Sequence, residues 1–255
     1  MQITILGSGS SIGVPAIGCK CYTCLSSDSK NKRTRASIFI KWNEFNLLVD
    51  TSPDLWTQAV VNKLERVDSV IYTHAHADHV AGIDNLRSFN FLKNGAIDVY
   101  GLADTIDYLE RSYAYCFIDM ATSSWYKPLL VSHKQQHGDI LDFAGKEVKL
   151  FSLGHGNVET LGLRLDNFAY TTDFRTIPQD TERFLENLDL WVIDCLKYEQ
   201  SPGHLSFDES MQLIDKYKPK RAVLCHLAHE LEYNELSQKI PSFVKVGYDG
   251  MIIDV

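Results

Sequence analysis

The sequence lacks the features that mark membrane, secreted and nucleic-acid-binding chains. Among its 255 residues, no apolar run approaches the roughly 18 residues of a membrane span. The first residues have the pattern of a strand, without the basic segment and cleavage site of a signal peptide, so we expect a cytoplasmic protein that does not enter a membrane. Basic residues are outnumbered, with 25 Lys and Arg against 33 Asp and Glu, and a nucleic-acid partner is therefore not expected.

The chain also lacks repeats, low-complexity tracts and any Pro/Gly/Ser-rich linker, so we expect one domain over residues 1–255. What it contains is a series of short apolar runs separated by helix patterns. Ser52-Pro53-Asp54 predicts a helix start, and Ser206-Phe207-Asp208-Glu209 has the spacing of a capping box for a helix reaching about Tyr217. Many strands with interspersed helices predict an α/β fold of layered sheets. Other helices are expected around residues 84–92, 104–115, 180–188 and 232–238.

The strongest chemical signal is the string His74-Ala75-His76-Ala77-Asp78-His79, which directly follows the apolar run 69–73. Imidazole nitrogens and carboxylate oxygens are ligands for Zn, Mn and Fe. Alternate side chains of an extended segment share a face, so His74 and His76 can bind one ion, and a turn can direct Asp78 and His79 to a second. A polar turn with unrelated histidines is the competing interpretation, but so many buried polar groups would then lack partners.

Two ions need more ligands than this string supplies, and three downstream residues are candidates. His155, Asp173 and His226 each close a strand-like run. Taken singly, each would more often be an ordinary loop or core residue. The recurring pattern instead predicts strand ends that converge on one edge of a sheet.

A cysteine-rich loop at about residues 18–25 carries Cys19, Cys21 and Cys24 in a Cys-x-Cys-x-x-Cys pattern. Three thiols this close in a reducing compartment indicate a structural zinc site that lacks one ligand. His229, three residues after His226, is the candidate for the fourth, and three unmetallated thiols are the alternative. The remaining cysteines are predicted to be core residues: Cys116, Cys195 and Cys225.

The ligand string, followed by single His, Asp and His residues at strand ends, resembles the metallo-β-lactamase superfamily from Gly7 to Gly250. The resemblance implies a four-layer αβ/βα sandwich with a dinuclear site on one edge. It also implies that Asp50 buttresses the metal-binding loop, although a plain turn residue is the alternative. Lactamases typically carry Cys where Asp173 stands, so a binuclear hydrolase is implied. The implied ligands are His74, His76 and His155 for the first ion, Asp78, His79 and His226 for the second, and Asp173 as a bridge.

The cysteine loop narrows the resemblance. Together with Gly13-Val14-Pro15, Asn31-x-Arg33-x-Arg35 and the segment 246–251, it resembles the phosphoribosyl cyclic phosphodiesterase branch. That branch implies a structural zinc on the three Cys and His229. It also implies a general acid at His204, for which imidazole suits near pH 7. An exposed turn histidine is the alternative for His204. We also predict a catalytic role for Asp78. The sequence departs from the pattern of the branch around residues 201–209 and 102–137.

Arg33 and Arg35 are candidates for contact with a substrate phosphate, because guanidinium geometry matches phosphate oxygens. A solvated basic loop, with Lys30 and Lys32 beside them, is an equally good interpretation. Aromatic residues within 104–126, Trp125 among them, either wall the pocket or pack on the sheet or a dimer face.

We therefore predict a metal-dependent phosphodiesterase that hydrolyses a small phosphodiester, in particular a cyclic one. Its cofactors would be two divalent ions, Mn or Zn, at the active site and one structural Zn, and the branch resemblance suggests a homodimer. A tRNA 3′-end processing endoribonuclease is one alternative, but residues 102–137 lack its Gly/Pro-rich arm. A glyoxalase II-like thioester hydrolase is not expected to carry the Cys loop. The non-enzymatic alternative is a metal-binding scaffold, but it gives no reason for a proton donor such as His204 in addition to the ligands.

Overall fold

The computed structural model describes residues 1–118 and 126–255, and within them the strands form two seven-stranded sheets. The first sheet contains β1 (Gln2–Gly7), β2 (Ser37–Trp42), β3 (Phe45–Val49), β4 (Ser69–Ile71), β5 (Ile97–Leu102), β6 (Leu130–Gln135) and β14 (Met251–Asp254). The second contains β7 (Ile140–Phe143), β8 (Lys146–His155), β9 (Val158–Leu165), β10 (Phe168–Thr171), β11 (Leu190–Asp194), β12 (Ala222–Cys225) and β13 (Val244–Val246). The strand orders are β14-β1-β2-β3-β4-β5-β6 and β13-β12-β11-β10-β9-β8-β7.

The helices lie between these strands. They are α1 (Tyr22–Leu25), α2 (Leu55–Val61), α3 (Ala77–Val80), α4 (Leu86–Lys93), α5 (Ala103–Ser112), α6 (Phe207–Tyr217) and α7 (Tyr233–Lys239). The capping box at Ser206 and Glu209 is present and starts α6 as predicted. The segment expected to be a helix at 180–188 is instead a 3-10 helix over Gln179–Leu185. No helix in the described ranges is long and apolar enough to cross a membrane.

The helix expected to begin directly at Ser52 starts later, at Leu55. The hydroxyl of Ser52 does not cap the helix in the usual way, because it donates to Gln58 Oε1 at 3.0 Å and accepts the Asp54 N–H at 3.2 Å. Pro53 therefore lies in a turn ahead of α2 and not at its first helical position.

Alternation of apolar side chains along the strands produces four layers. Ile3 and Ile5 of β1 join Leu163 and Leu165 of β9 in the core between the sheets. The outer face of the first sheet packs against helices α2, α4 and α5, and the outer face of the second packs against α6 and α7. This arrangement confirms the predicted layered αβ/βα sandwich.

Parallel pairing brings several strand ends to one edge. β3, β4 and β5 are parallel in the first sheet, and β10, β11 and β12 are parallel in the second. The carboxyl ends of parallel strands meet at the same edge of a sheet, where α/β proteins place their ligands. Between the two sheets, the Leu161 N–H donates to the Thr73 carbonyl at 2.9 Å, which holds the segment after β4 against β9. Strands of both sheets therefore hold in place the edge at which the carboxyl ends of the parallel strands meet.

Candidate metal centre

Three histidines form the first ligand group at this edge. His74 and His76 follow β4, and His155 ends β8. Their ligand nitrogens all lie within 4.8 Å of one another, and His155 Nε2 lies 3.3 Å from His76 Nδ1. The structure thus brings together the three residues that the sequence analysis assigned to one ion.

The second group consists of Asp78, His79, Asp173 and His226, whose ligand atoms also lie within 4.8 Å of one another. His79 Nε2 lies 3.3 Å from Asp78 Oδ2 and 3.2 Å from Asp173 Oδ2. His226 Nε2 lies 3.5 Å and 3.3 Å from the same two oxygens. Asp173 Oδ2 is also 3.9 Å from His74 Nε2, so this carboxylate stands between the two groups.

The chemistry of these residues fits divalent cations. Several of their buried polar atoms have no hydrogen-bond partner: His74 Nε2, Asp78 Oδ2, Asp173 Oδ1 and both ring nitrogens of His226. Buried polar atoms in native proteins are almost always paired, so unpaired atoms that converge on one place indicate a missing binding partner. Five imidazoles and two carboxylates are suitable ligands for Zn or Mn, and they do not distinguish between these metals.

The orientation of the ligands is set by a layer of hydrogen bonds behind them. Asp50 is fully buried, and its carboxylate accepts the Thr73 N–H and O–H, each at 2.8 Å. The same carboxylate lies 2.6 Å from His79 Nδ1, and Gly203 O lies 2.6 Å from His155 Nδ1. A proton on each Nδ1 satisfies these contacts and leaves Nε2 free to bind a metal.

The histidines and carboxylates of the second group shift one another's pKa values. Burial opposes protonation of His79, but the carboxylates of Asp173 and Asp50 outweigh it and raise the pKa of His79 well above its usual range. Burial also opposes ionisation of Asp173, yet the charges of His226 and His79 hold its pKa well below its usual range. Both directions follow from the mutual attraction of these histidines and carboxylates, and a bound cation would favour the carboxylate form of Asp173 in the same way.

His204 lies beside both ligand groups. Its ring stacks on His226 with centroids 4.7 Å apart and packs edge-on against His155 at 4.6 Å. Its Nδ1 lies 3.2 Å from Asp194 Oδ2. Burial lowers the pKa of His204, but the hydrogen bond and charge of Asp194 outweigh burial and raise this pKa to about 9.

Asp194 and Arg175 are site residues that the sequence analysis missed. Asp194 is fully buried at the end of β11, and its Oδ2 also accepts the Leu205 N–H at 3.1 Å. Arg175 donates to the His204 carbonyl at 3.1 Å and pairs with Glu209 at 2.8 Å, so it holds the loop of His204 onto α6. Asp194 is the last residue of an apolar strand, and Asp173 follows the end of another by two residues. This shared position at a strand end is the sequence signal that could have identified Asp194.

The cysteine loop meets His229 on one side of the fold. Cys19 Sγ and Cys21 Sγ lie 3.5 Å and 3.3 Å from His229 Nδ1, and all four ligand atoms, with Cys24 Sγ, lie within 4.8 Å of one another. The hydrogen bond with His229 is the main cause that lowers the pKa of Cys21 to about 6. A thiolate is the form that binds zinc, so this set suits a tetrahedral zinc site. The three other cysteines are fully buried in the core, as predicted: Cys116, Cys195 and Cys225.

The two arginine candidates lie in different environments. Arg33 is 2% exposed, and its guanidinium donates to the carbonyls of Ala228 and Leu231 at 3.0 Å and 2.7 Å. Its donors are thus engaged inside the protein, and the structure gives Arg33 a structural contact in place of the expected contact with substrate. Arg35 is partly exposed and pairs with Asp54 at 3.1 Å. Among the aromatic residues of 104–126, Trp125 lies outside the described residues.

Comparison with known proteins assigns the fold and site to a class. Residues 45–227 match the β-lactamase superfamily domain. The chain belongs to this superfamily and has the metallo-β-lactamase fold, which confirms the superfamily predicted from the ligand string.

Similar structures and sequences are known. A diphosphatase from the PhnP family has 30% identity and a TM-score of 0.91 over 100% of this chain and 97% of its own. Zinc-bound PqqB from Methylobacterium extorquens has 19% identity and a TM-score of 0.83 over 100% of both chains, which shows the shared fold. An octanoyltransferase from Porphyromonas gingivalis is 31% identical over 100% of this chain and 52% of its own length. The chain therefore spans about half the length of that curated relative.

Proposed function

We propose that this hydrolase cleaves a small, cyclic phosphodiester by a reaction that depends on two divalent ions. The observation that supports this most directly is the convergence of two ligand groups on Asp173, with His204 beside both. His74, His76 and His155 would hold one ion, Asp78, His79 and His226 the other, and Asp173 would contact both. Two such ions supply Lewis acidity that activates water and offsets charge on phosphate oxygens.

The residues of the chain supply the proton that the leaving group needs. An alkoxide departs from phosphorus more readily when it is protonated as it leaves. His204 is suited to donate from Nε2, because Asp194 faces its other nitrogen at 3.2 Å and favours its protonated form. Arg175 fixes the backbone of His204, so the ring is held at a constant place relative to His155 and His226. Asp78 would act in catalysis only through the ion that it binds.

A phosphoanhydride is a second candidate substrate, because the similar structure with 30% identity is a diphosphatase. Both substrates present a phosphorus centre with negatively charged oxygens, so the ligand groups alone do not separate them. The reaction with a diester needs general acid more, since an alkoxide is a poorer leaving group than a phosphate. The placement of His204 against Asp194 therefore favours the diester.

The test is a parallel assay of the protein loaded with Mn or with Zn. The substrates are methyl p-nitrophenyl phosphate, a 2′,3′-cyclic nucleotide, a dinucleoside diphosphate, precursor tRNA and a glutathione thioester. We expect turnover of the diesters, with loss of activity in the Asp173→Asn protein. Absence of diester turnover by protein that holds two active-site ions would overturn the proposal. Cleavage of tRNA or thioester alone would instead support the endoribonuclease or the glyoxalase II-like alternative.

A further inference from the structure

A cavity of about 490 Å³ adjoins the first ligand group. Ala75, between His74 and His76, forms part of its wall, and the turn that follows His155 forms another part through Asn157 and Glu159. The start of α5 and the end of β6 form further parts of the wall. The volume lies in the range of sites for small molecules, which is about 300–1,000 Å³. None of the seven ligand residues lines the cavity itself, so a group attached to a phosphate at the ligand groups would reach it past the segment 74–76 and the turn after His155.

The polar side chains of the cavity wall are available to a ligand. Gln135, Gln136 and Asn157 line the cavity, and within the described residues their carboxamides make no hydrogen bond to the protein. Each carboxamide offers two N–H donors and an acceptor oxygen. Such groups match hydroxyls, carbonyls and ring nitrogens of an uncharged polar molecule.

The charge of the wall has one sign. Asp104 and Glu159 line the cavity, and within the described chain neither has an ion-pair partner. None of the lining residues is Lys or Arg. Carboxylates accept hydrogen bonds from hydroxyls, but they repel a phosphate group, and no Lys or Arg side chain lines the wall to offset that repulsion. The cavity wall is thus negatively charged, whereas the two ligand groups would be positively charged once they hold their ions.

We propose that this cavity binds an uncharged organic part of the substrate that carries hydroxyl or amide groups, of the kind found in a nucleoside, and disfavours a second phosphate. This inference rests on the proposed function, because it takes the ligand groups as the place of the reacting phosphate. It makes the preferred substrate a monoanionic diester with a neutral polar group, and it selects against a diphosphate.

The test compares three substrates that share the p-nitrophenyl leaving group. They are methyl p-nitrophenyl phosphate, thymidine 5′-(p-nitrophenyl phosphate) and the corresponding thymidine diphosphate ester. For the native protein, we expect kcat/KM to be highest for the thymidine monophosphate diester. Gln135→Ala and Asn157→Ala should each lower kcat/KM for this substrate by about 3- to 10-fold, the effect of one lost hydrogen bond, and leave the methyl ester unchanged. The isosteric double variant Asp104→Asn/Glu159→Gln should raise kcat/KM for the diphosphate ester relative to the thymidine diester.

The controls separate this inference from the proposed function. Gln238→Ala, on the exposed part of α7, should change none of the three rates, and metal content should equal that of the native protein in every variant. Failure of the native protein, with two active-site ions bound, to hydrolyse any of these diesters or the 2′,3′-cyclic nucleotide would refute the proposed function itself. Hydrolysis of the methyl ester without a preference for the thymidine diester would overturn only the cavity inference. Equal losses for all substrates in the variants, or a native preference for the diphosphate ester, would overturn it as well.

Discussion

Arg33 allows the most detailed prediction, because its contacts join two distant parts of the chain. Its guanidinium donates to Ala228 O at 3.0 Å and Leu231 O at 2.7 Å, across the segment that contains His229. It also donates to Lys30 O and Asn31 Oδ1, each at 3.3 Å. Burial lowers its pKa to about 10, which still leaves it charged at neutral pH. Arg33 thus holds the segment after the cysteine loop against the segment that contains His229.

The perturbation is Arg33→Met, which keeps much of the apolar stem and removes every donor. Two short bonds from a charged group to buried carbonyls are lost, each worth about 1.5–3 kcal/mol, so the free energy of unfolding should fall by ~3–6 kcal/mol. The matched control is Arg35→Met. Arg35 pairs with Asp54 at a partly exposed place, and such pairs contribute about 0–1 kcal/mol.

The assay is urea unfolding of both variants and the native protein at saturating zinc, with zinc content measured in parallel. With a slope of about 3 kcal/mol/M, the midpoint of Arg33→Met should fall by roughly 1–2 M, and that of Arg35→Met by less than about 0.4 M. We also expect Arg33→Met to bind the loop zinc more weakly. An unchanged midpoint for Arg33→Met, together with a raised KM for a diester, would refute the structural assignment and return Arg33 to the substrate site.

Three further predictions concern the metal sites and the acid. Asp173→Asn should leave fewer than two active-site ions per chain by elemental analysis, because Asp173 Oδ2 stands between the two groups; full occupancy would contradict its bridging position. Cys21→Ser should remove one zinc but keep the active-site ions, and in the native protein the affinity for the loop zinc should weaken as pH falls, because protons compete with zinc for the thiolates; a loop-zinc affinity that does not change with pH would count against thiolate ligands. His204→Gln should keep all metals and slow turnover of a 2′,3′-cyclic nucleotide, whose leaving group is an alkoxide, by about 10²–10⁴, and an unchanged rate on that substrate would remove His204 from proton transfer.

The ligand residues were accessible to sequence reasoning because metal binding places rare residue types at high density. Four of them lie within the six residues 74–79, and a capping box likewise predicts the start of α6 from local spacing. Both signals consist of residues that are close together in sequence, so they can be recognised without knowledge of the fold.

Residues whose roles depend on distant partners were not accessible in this way. Arg33 stood in a basic segment and suggested a phosphate contact, but its acceptors lie about two hundred residues away, with sequence separations of 195 and 198. The role of Asp194 likewise depends on its contact with His204, which lies across a loop. Ser52 has the sequence pattern of a helix cap, but its hydroxyl donates to Gln58. Short edge strands such as β13 (Val244–Val246) carry too few residues for a periodic pattern.

The proposed function requires both ligand groups around Asp173 to be filled before a diester is hydrolysed. The decisive measurement adds Mn stepwise to metal-depleted protein that retains the loop metal, while bound Mn and turnover of methyl p-nitrophenyl phosphate are followed together. We expect activity to appear when the second Mn binds per chain, and we expect the Asp173→Asn protein to stay inactive at every Mn concentration. Full turnover with one Mn bound per chain, or with none, would refute the proposed function.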